Sequence, residues 1–451
     1  MDSNMPEPVS VNAASGTRPK IAIVSTFNEL CGIAGYTKAV RRQLSSVADV
    51  TVFDLDQYLL RNTRRPVIKL AEKHINEIAA KLPEFDAVNI QLEHGTFGKT
   101  PDRILSRLSK IVKASPRMCI TFHTILDSDN SALSDAWHQA LKGRIDRALA
   151  LVGMNLRGRV LSFGVYRMLR KTQKKKDVAI IVHNKRDMRL LRDVYGLKGV
   201  EHHPLAYMDE LEVDRVKATV SRTMFPTLAH LPEGTKFVGT FGFLSRYKGF
   251  ETAIRAMYGL PDNYHLLIFG GVHPQGIRKE EPIDKYVDSL IKAARIDVTV
   301  ARSLKDTFGQ VNSSGDPASL IMNHPQNLNG RIHFMGALSD DDFAAAMAYC
   351  DSVVLPYLEV GQSSSGPVAI ALEMKARVIA SRTLAFMQYE MYHKGQIEFF
   401  DIGNFVHLAQ LIGSDPAIDP DGRHLEYNVD TNRKVYLKAL GFEPQAHLRT
   451  A

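Results

Sequence analysis

Cysteine is scarce in this chain: Cys31, Cys119 and Cys350 lie far apart, fit no metal-ligand spacing and cannot all pair with one another. A disulfide scaffold is excluded, and a reducing cytoplasm is the natural setting. Tryptophan occurs once, and neither glycine nor proline is enriched, which excludes fibrous and low-complexity classes. No uninterrupted apolar run approaches the roughly 18–20 residues that a spanning helix needs, so the sequence predicts a body that does not cross a membrane. Met1 to Arg18 has neither the basic opening nor the apolar core of a secretory signal and reads as a short disordered tail.

Positive charge is in excess. The chain carries 57 Lys and Arg against 49 Asp and Glu, a net +8, which favours an anionic partner: nucleic acid, a phosphorylated ligand or a membrane surface. At 451 residues it exceeds what one hydrophobic core usually serves, and two domains are expected.

The pattern along the chain is strand, turn, helix, repeated. Ile21-Ala-Ile-Val-Ser-Thr breaks into a turn holding Gly32 and Gly35, then resumes at helical spacing through Tyr36 to Leu44. Apolar runs return at Val50 to Phe53, at Ala87 to Leu92 before Glu93-His94-Gly95, and at Met118 to Phe122 before His123. Continuous apolar strands alternating with helices predict a parallel sheet covered on both faces, so the fold class is α/β. The pattern weakens over Leu205 to Gly234 and restarts at Lys236, with further strands at His265–Phe269, Arg331–Phe334 and Ser352–Leu355. The expected division is a tail (1–18), a Rossmann-like domain (19–210), a linker (211–235), a second Rossmann-like domain (236–420), and a helical segment (421–451) returning to the first domain. The polar stretch between Lys292 and Asn329 reads as an inserted surface loop.

One stretch, Leu355 to Ser381, carries the most chemistry. It reads as strand, loop, helix and strand, with Ser365 or Gly366 at the N-cap and Pro367 at the first helical position. The helix start, flanked by Ser364, Ser365 and Gly366, offers backbone N–H groups to a phosphate, or else is only a well-capped buried helix. In Gly242-Phe-Leu-Ser-Arg-Tyr-Lys-Gly, Arg246 and Lys248 beside a glycine turn suit a diphosphate better than a bare solvated loop.

Three blocks, Gly242–Ile254, Arg331–Phe343 and Leu355–Ser381, together with the opening strand and glycine turn, resemble glycosyltransferase family 4 in order and spacing. The resemblance implies a GT-B fold: two Rossmann-like domains with a nucleotide-sugar cleft between them. It also implies retaining transfer from a nucleotide-diphosphate sugar to a saccharide or lipid-linked acceptor, in polysaccharide or glycolipid synthesis, without metal or cofactor. By the same resemblance Lys248 and the helix start at Ser364, Ser365 and Gly366 hold the donor diphosphate, with Arg246 as a substitute for the arginine lost at Phe243, and Gly336 and Ala337 lie at the nucleotide base. His123 stands near the transferred sugar. Glu93 and His94 either position the acceptor hydroxyl or cap a turn, and Gly32 and Gly35 allow close approach of the ligand.

Departures are clear. The family's glutamate pair falls at Gln362 and Ile370, with Glu359 and Glu373 as nearby substitutes, and its diphosphate arginine is Phe243. These losses keep a catalytically lapsed nucleotide-sugar-binding scaffold in play, alongside a phosphorylase or epimerase. From Arg157 to Lys176 the chain has eight Lys or Arg and no acid, interleaved with Val160, Leu161, Phe163, Val165, Tyr166, Met168 and Leu169. That stretch reads either as a helix lying on anionic lipid headgroups or as one packed on its own domain. No nucleic-acid motif accompanies the charge. The implied location is cytoplasmic, peripheral on the inner membrane face.

Overall fold

The computed structural model describes residues 18–29, 31–125, 137, 141, 144–272, 284–294, 328, 330–417 and 424–442. The expected tail, apart from Arg18, and most of the loop expected between Lys292 and Asn329 lie outside the described residues. The chain forms two compact units, one running to Leu205 and taking in the residues from Val429 onward, the other spanning Ala206–Asn428.

In the first unit six strands pair in parallel, in the order β2-β1-β3-β4-β5-β6. They are β1 (Lys20–Ser25), β2 (Asp49–Asp54), β3 (Ala87–Leu92), β4 (Arg117–Phe122), β5 (Val178–Val182) and β6 (Val200–His202). Their apolar runs are continuous because helices cover both faces; Ile21, Ile23, Val88, Ile90 and Ile120 are fully buried. Each such side chain contributes about 1.5–3 kcal/mol relative to exposure. The helix Pro101–Ala114 turns Ile104, Leu108, Ile111 and Val112 inward at helical spacing. The last helix, Val429–Ala439, packs on β4, β5, β6 and the opening helix Gly32–Ser45.

The helix Ile145–Thr172 differs from expectation. At 28 residues, with a stretch of mean hydropathy 1.2, it is long and apolar enough to span a bilayer by length and composition. Arg157 and Arg159 interrupt its apolar run, which is why the sequence scan passes over it. Leu161, Val165, Tyr166 and Leu169 on its inner side belong to the core of the first unit.

In the second unit the order is β12-β11-β10-β7-β8-β9. The strands are β7 (Lys236–Phe241), β8 (Tyr264–Phe269), β9 (Ile332–Gly336), β10 (Ser352–Leu355), β11 (Val378–Ser381) and β12 (Glu398–Phe400). The residues expected as a linker are structured instead. Asp209 and Glu212 close a capping box on the helix Glu210–Lys217, whose Val213 and Val216 pack with Ala344, Ala345 and Met374. That buried apolar contact makes the segment part of the second unit.

Candidate active site

Ligands in open parallel sheets bind beyond the carboxyl ends of the strands, where the strand order reverses direction. In the second unit the reversal falls between β7 and β10, since the chain runs outward from β7 to β9 on one side and from β10 to β12 on the other. The loops leaving these two strands carry the residues expected at a diphosphate.

Glycine makes the approach possible. After β7, Gly242 adopts φ 121° and Gly249 φ 64°. A Cβ on Gly249 would lie 1.9 Å from Pro356 O, and one on Gly270 would lie 1.9 Å from Gly242 O, so only glycine fits at either point. Gly336, at the end of β9 with φ 82°, accepts from Gly270 N through its carbonyl at 2.7 Å, and Ala337 lies against Gly271.

Lys248 crosses the face of Gly242 and is only 5% exposed. Its Nζ donates to Tyr357 Oη at 2.5 Å and lies 3.8 Å from the centre of that ring. Desolvation pulls its pKa down to about 7. Ser365, at the N-cap of the helix Gly366–Glu373, makes no side-chain capping bond, and its buried hydroxyl has no hydrogen-bond partner. Lys248 and Tyr357 join the loops leaving β7 and β10, and the second of these loops leads into the helix start, whose first-turn N–H groups have no partner within the helix. Tyr357 escapes the sequence reading because a tyrosine directly after a buried strand reads as core.

The other residues singled out in this unit are placed differently. Arg246 is exposed, with its guanidinium 5.3 Å over the Tyr286 ring, away from the glycine turn. The Glu373 carboxylate accepts from Tyr207 N at 2.7 Å and Met208 N at 3.2 Å, so it braces that strand of chain. Glu359 accepts from Gly361 N and Leu384 N, at 2.8 and 2.6 Å. Both candidate substitutes for the missing glutamates are therefore held by backbone. Gln362 and Ser364, in the loop before the helix, are half-buried.

In the first unit the strand order reverses between β1 and β3. Gly32 opens the helix after β1, capped by Cys31 Sγ, and has open space where a side chain would project; Gly35 is half-buried one turn on. Past β3, Glu93 accepts from Thr124 Oγ1 at 2.7 Å, and burial raises its pKa. His94 turns inward against Phe122. Both of its ring nitrogens are buried without a hydrogen-bond partner, and desolvation lowers its pKa to about 4. It is a neutral core histidine, separate from the carboxylate beside it.

His123 follows β4, and its Nε2 lies 2.7 Å from Gln91 Oε1. Burial and the neighbouring His183 hold its pKa well below the usual value, so it is neutral at physiological pH. His183 follows β5 in the same way, with its ring centre 5.1 Å from that of His123, and Tyr36 packs edge-on to both. His183 Nδ1 bonds His203 O at 3.2 Å, leaving Nε2 buried without a partner. The sequence signal for His183 was a repeat of the Phe122-His123 pattern in Val182-His183, hidden behind the basic run.

No protein-family model and no curated protein matches the sequence. Solved structures do match the fold. The Anabaena protein HepE in complex with UDP and glucose has a TM-score of 0.51 at 13% identity, over 94% of this chain and 96% of that chain. Sucrose-phosphate synthase from Thermosynechococcus elongatus has 0.54 at 16%, over 94% and 95%. A UDP-forming α,α-trehalose-phosphate synthase from Burkholderia xenovorans, in complex with glucose-6-phosphate, has 0.57 at 10%, over 93% and 99%. The chain has the GT-B fold, as the resemblance to family 4 glycosyltransferases implies.

Proposed function

We propose that this protein is a retaining glycosyltransferase that moves a sugar from a nucleotide diphosphate to a saccharide or lipid-linked acceptor. The observation that carries this reading is the bond between Lys248 and Tyr357 on the loops leaving β7 and β10, the second of which leads into the helix start at Gly366, at the strand-order reversal of the second unit. It offers a buried cation and unpaired backbone N–H groups to a leaving diphosphate, which is where negative charge develops during transfer. The structural neighbours support the donor class: HepE was solved with UDP and glucose, and the trehalose-phosphate synthase is UDP-forming.

In this reading the diphosphate leaves from the sugar as the acceptor oxygen attacks the same face, and a diphosphate oxygen takes the acceptor proton. Lys248 and the helix N–H groups stabilise the leaving group, and no metal is required. His123 contacts the transferred sugar and Glu93 orients the acceptor. Arg246 serves only if it leaves Tyr286. The test is incubation of the purified protein with nucleotide sugars and candidate acceptors in EDTA. Formation of a glycoside with the donor's anomeric configuration supports the reading, and inversion or loss of activity in EDTA overturns it.

A second reading has its own support. With Gln362 and Ile370 at the glutamate positions, and Glu359 and Glu373 engaged with backbone, the chain suits a scaffold that binds a nucleotide sugar without turning it over. Binding without product would favour it.

We further propose that the partner surface is an anionic membrane, in keeping with a cytoplasmic enzyme acting at the inner face. The outer side of the helix Ile145–Thr172 exposes Leu156, Val160 and Phe163, each more than half accessible, and continues on the same face with Arg167 and Lys171. An apolar wedge followed by cations suits a helix lying in the headgroup layer.

A further inference from the structure

The hydrogen bonds beneath His123 run in one direction, and a backbone carbonyl sets it. Cys119 O can only accept, so Asn89 turns its side-chain nitrogen toward it at 3.4 Å and toward Thr121 Oγ1 at 3.1 Å. Asn89 Oδ1 is then the acceptor for Gln91 Nε2 at 2.7 Å. Gln91 in turn presents Oε1 to His123, and only a protonated Nε2 completes that 2.7 Å bond. The last helix adds a second hold: Tyr436 Oη accepts from Gln91 Nε2 and from Thr121 Oγ1, each at 3.1 Å.

Asn89, Gln91, Thr121 and Tyr436 are all fully buried, at strand and helix positions that ordinarily hold apolar residues. A buried network of this kind is tolerated only when every member is satisfied, which leaves Gln91 one orientation. Reversing its amide would set an oxygen against Asn89 Oδ1 at 2.7 Å.

We propose that Asn89, Gln91 and Tyr436 are positioning residues that fix His123 as the Nε2–H tautomer and leave Nδ1 as a lone-pair acceptor for a hydroxyl of the bound sugar. The last helix thereby sets the protonation state of a residue at the far end of the first-unit sheet. The tautomer itself follows from the hydrogen bonds alone; its use on a sugar hydroxyl rests on the transfer reading above.

The test is long-range ¹H–¹⁵N correlation on full-length protein labelled at its histidine ring nitrogens, without substrate, with His123→Gln identifying the signals. Wild type should show a single neutral tautomer protonated on Nε2 at pH 7. Protonation on Nδ1, or a charged ring, overturns the proposal. Tyr436→Phe should add the second tautomer, and an unchanged spectrum removes Tyr436 from the network. Gln91→Glu, which sets a carboxylate against Nε2, should raise the proton affinity of His123 at least tenfold; no shift overturns the contact. In transfer assays Tyr436→Phe should lower kcat several-fold with little change in donor KM. Should Tyr436→Phe fail to fold, the wild-type spectrum still decides. A wild type with the expected spectrum but no transfer from any donor leaves the network standing and removes the transfer reading alone.

Discussion

Lys248 is a lysine without a carboxylate, held between a glycine and two tyrosine rings and shifted to about 7 by desolvation. A diphosphate beside it favours the charged form, so binding at neutral pH and above should take up a proton. Affinity should be highest below pH 7 and fall as pH rises through that value. Calorimetry in buffers of different ionisation enthalpy measures the uptake directly, and Lys248→Met should abolish both the uptake and most of the binding. The same shift affects folding. Between about 7 and the ordinary 10.5 the unfolded chain holds a proton that the folded chain has released, so this group adds stability as pH rises across that window. His123→Ala should lower transfer by about 10²-fold or more while leaving diphosphate binding close to wild type, and should lower the melting temperature somewhat because buried Gln91 Oε1 loses its donor. At this scale the sequence was partly legible. Lys248 stood out because a cation beside a glycine turn has few other uses. Tyr357, His183 and the Asn89–Gln91 pair did not, since only the fold reveals which polar groups meet inside a sheet.

Elements explain why some residues could be read and others not. Apolar runs such as Ile21–Val24 and Ala87–Leu92 announce doubly covered strands, whereas β12 has three residues and β6 only a partly buried Val-Glu-His, too short for a pattern. The run Val178–Val182 was legible but stood behind eight cations that drew attention to the preceding helix. That helix needed the structure most: one sequence periodicity contains two faces. Leu161, Val165, Tyr166 and Leu169 pack inward, so the packed-helix alternative holds for them, while Leu156, Val160 and Phe163 face outward. Replacing these three by glutamate should abolish co-sedimentation with vesicles containing phosphatidylglycerol without lowering the melting temperature; undiminished binding would return this face to ordinary surface. Arg167→Glu with Lys171→Glu should weaken binding by an order of magnitude or more at low salt, and less as salt rises. The turn joining β7 to its helix makes a different demand. Gly249→Ala should destabilise the second unit by about 1–3 kcal/mol and weaken diphosphate binding, because φ 64° and the Pro356 carbonyl both exclude a side chain.

At the scale of the whole molecule, two six-stranded parallel sheets, each with its own reversal point, define the fold, and the two α/β sheets were readable from the alternation of strands and helices. The first unit's use of the chain's last helix is a long-range property: Gln91, Thr121 and Tyr436 meet across more than 300 residues, which no local pattern encodes. Donor base, sugar and acceptor are not written in the proposed site residues, because strand ends and glycines offer a ligand mainly backbone groups. Binding of a nucleotide diphosphate by the second unit, through Lys248 and the helix start, is the proposal on which the transfer reading depends. It is tested most directly by thermal shift and calorimetry of the purified protein, wild type and Lys248→Met, against UDP, GDP, ADP and their sugar conjugates in EDTA. One base should stabilise the wild type and leave the variant unmoved. Silence of the wild type across all three bases would contradict the account.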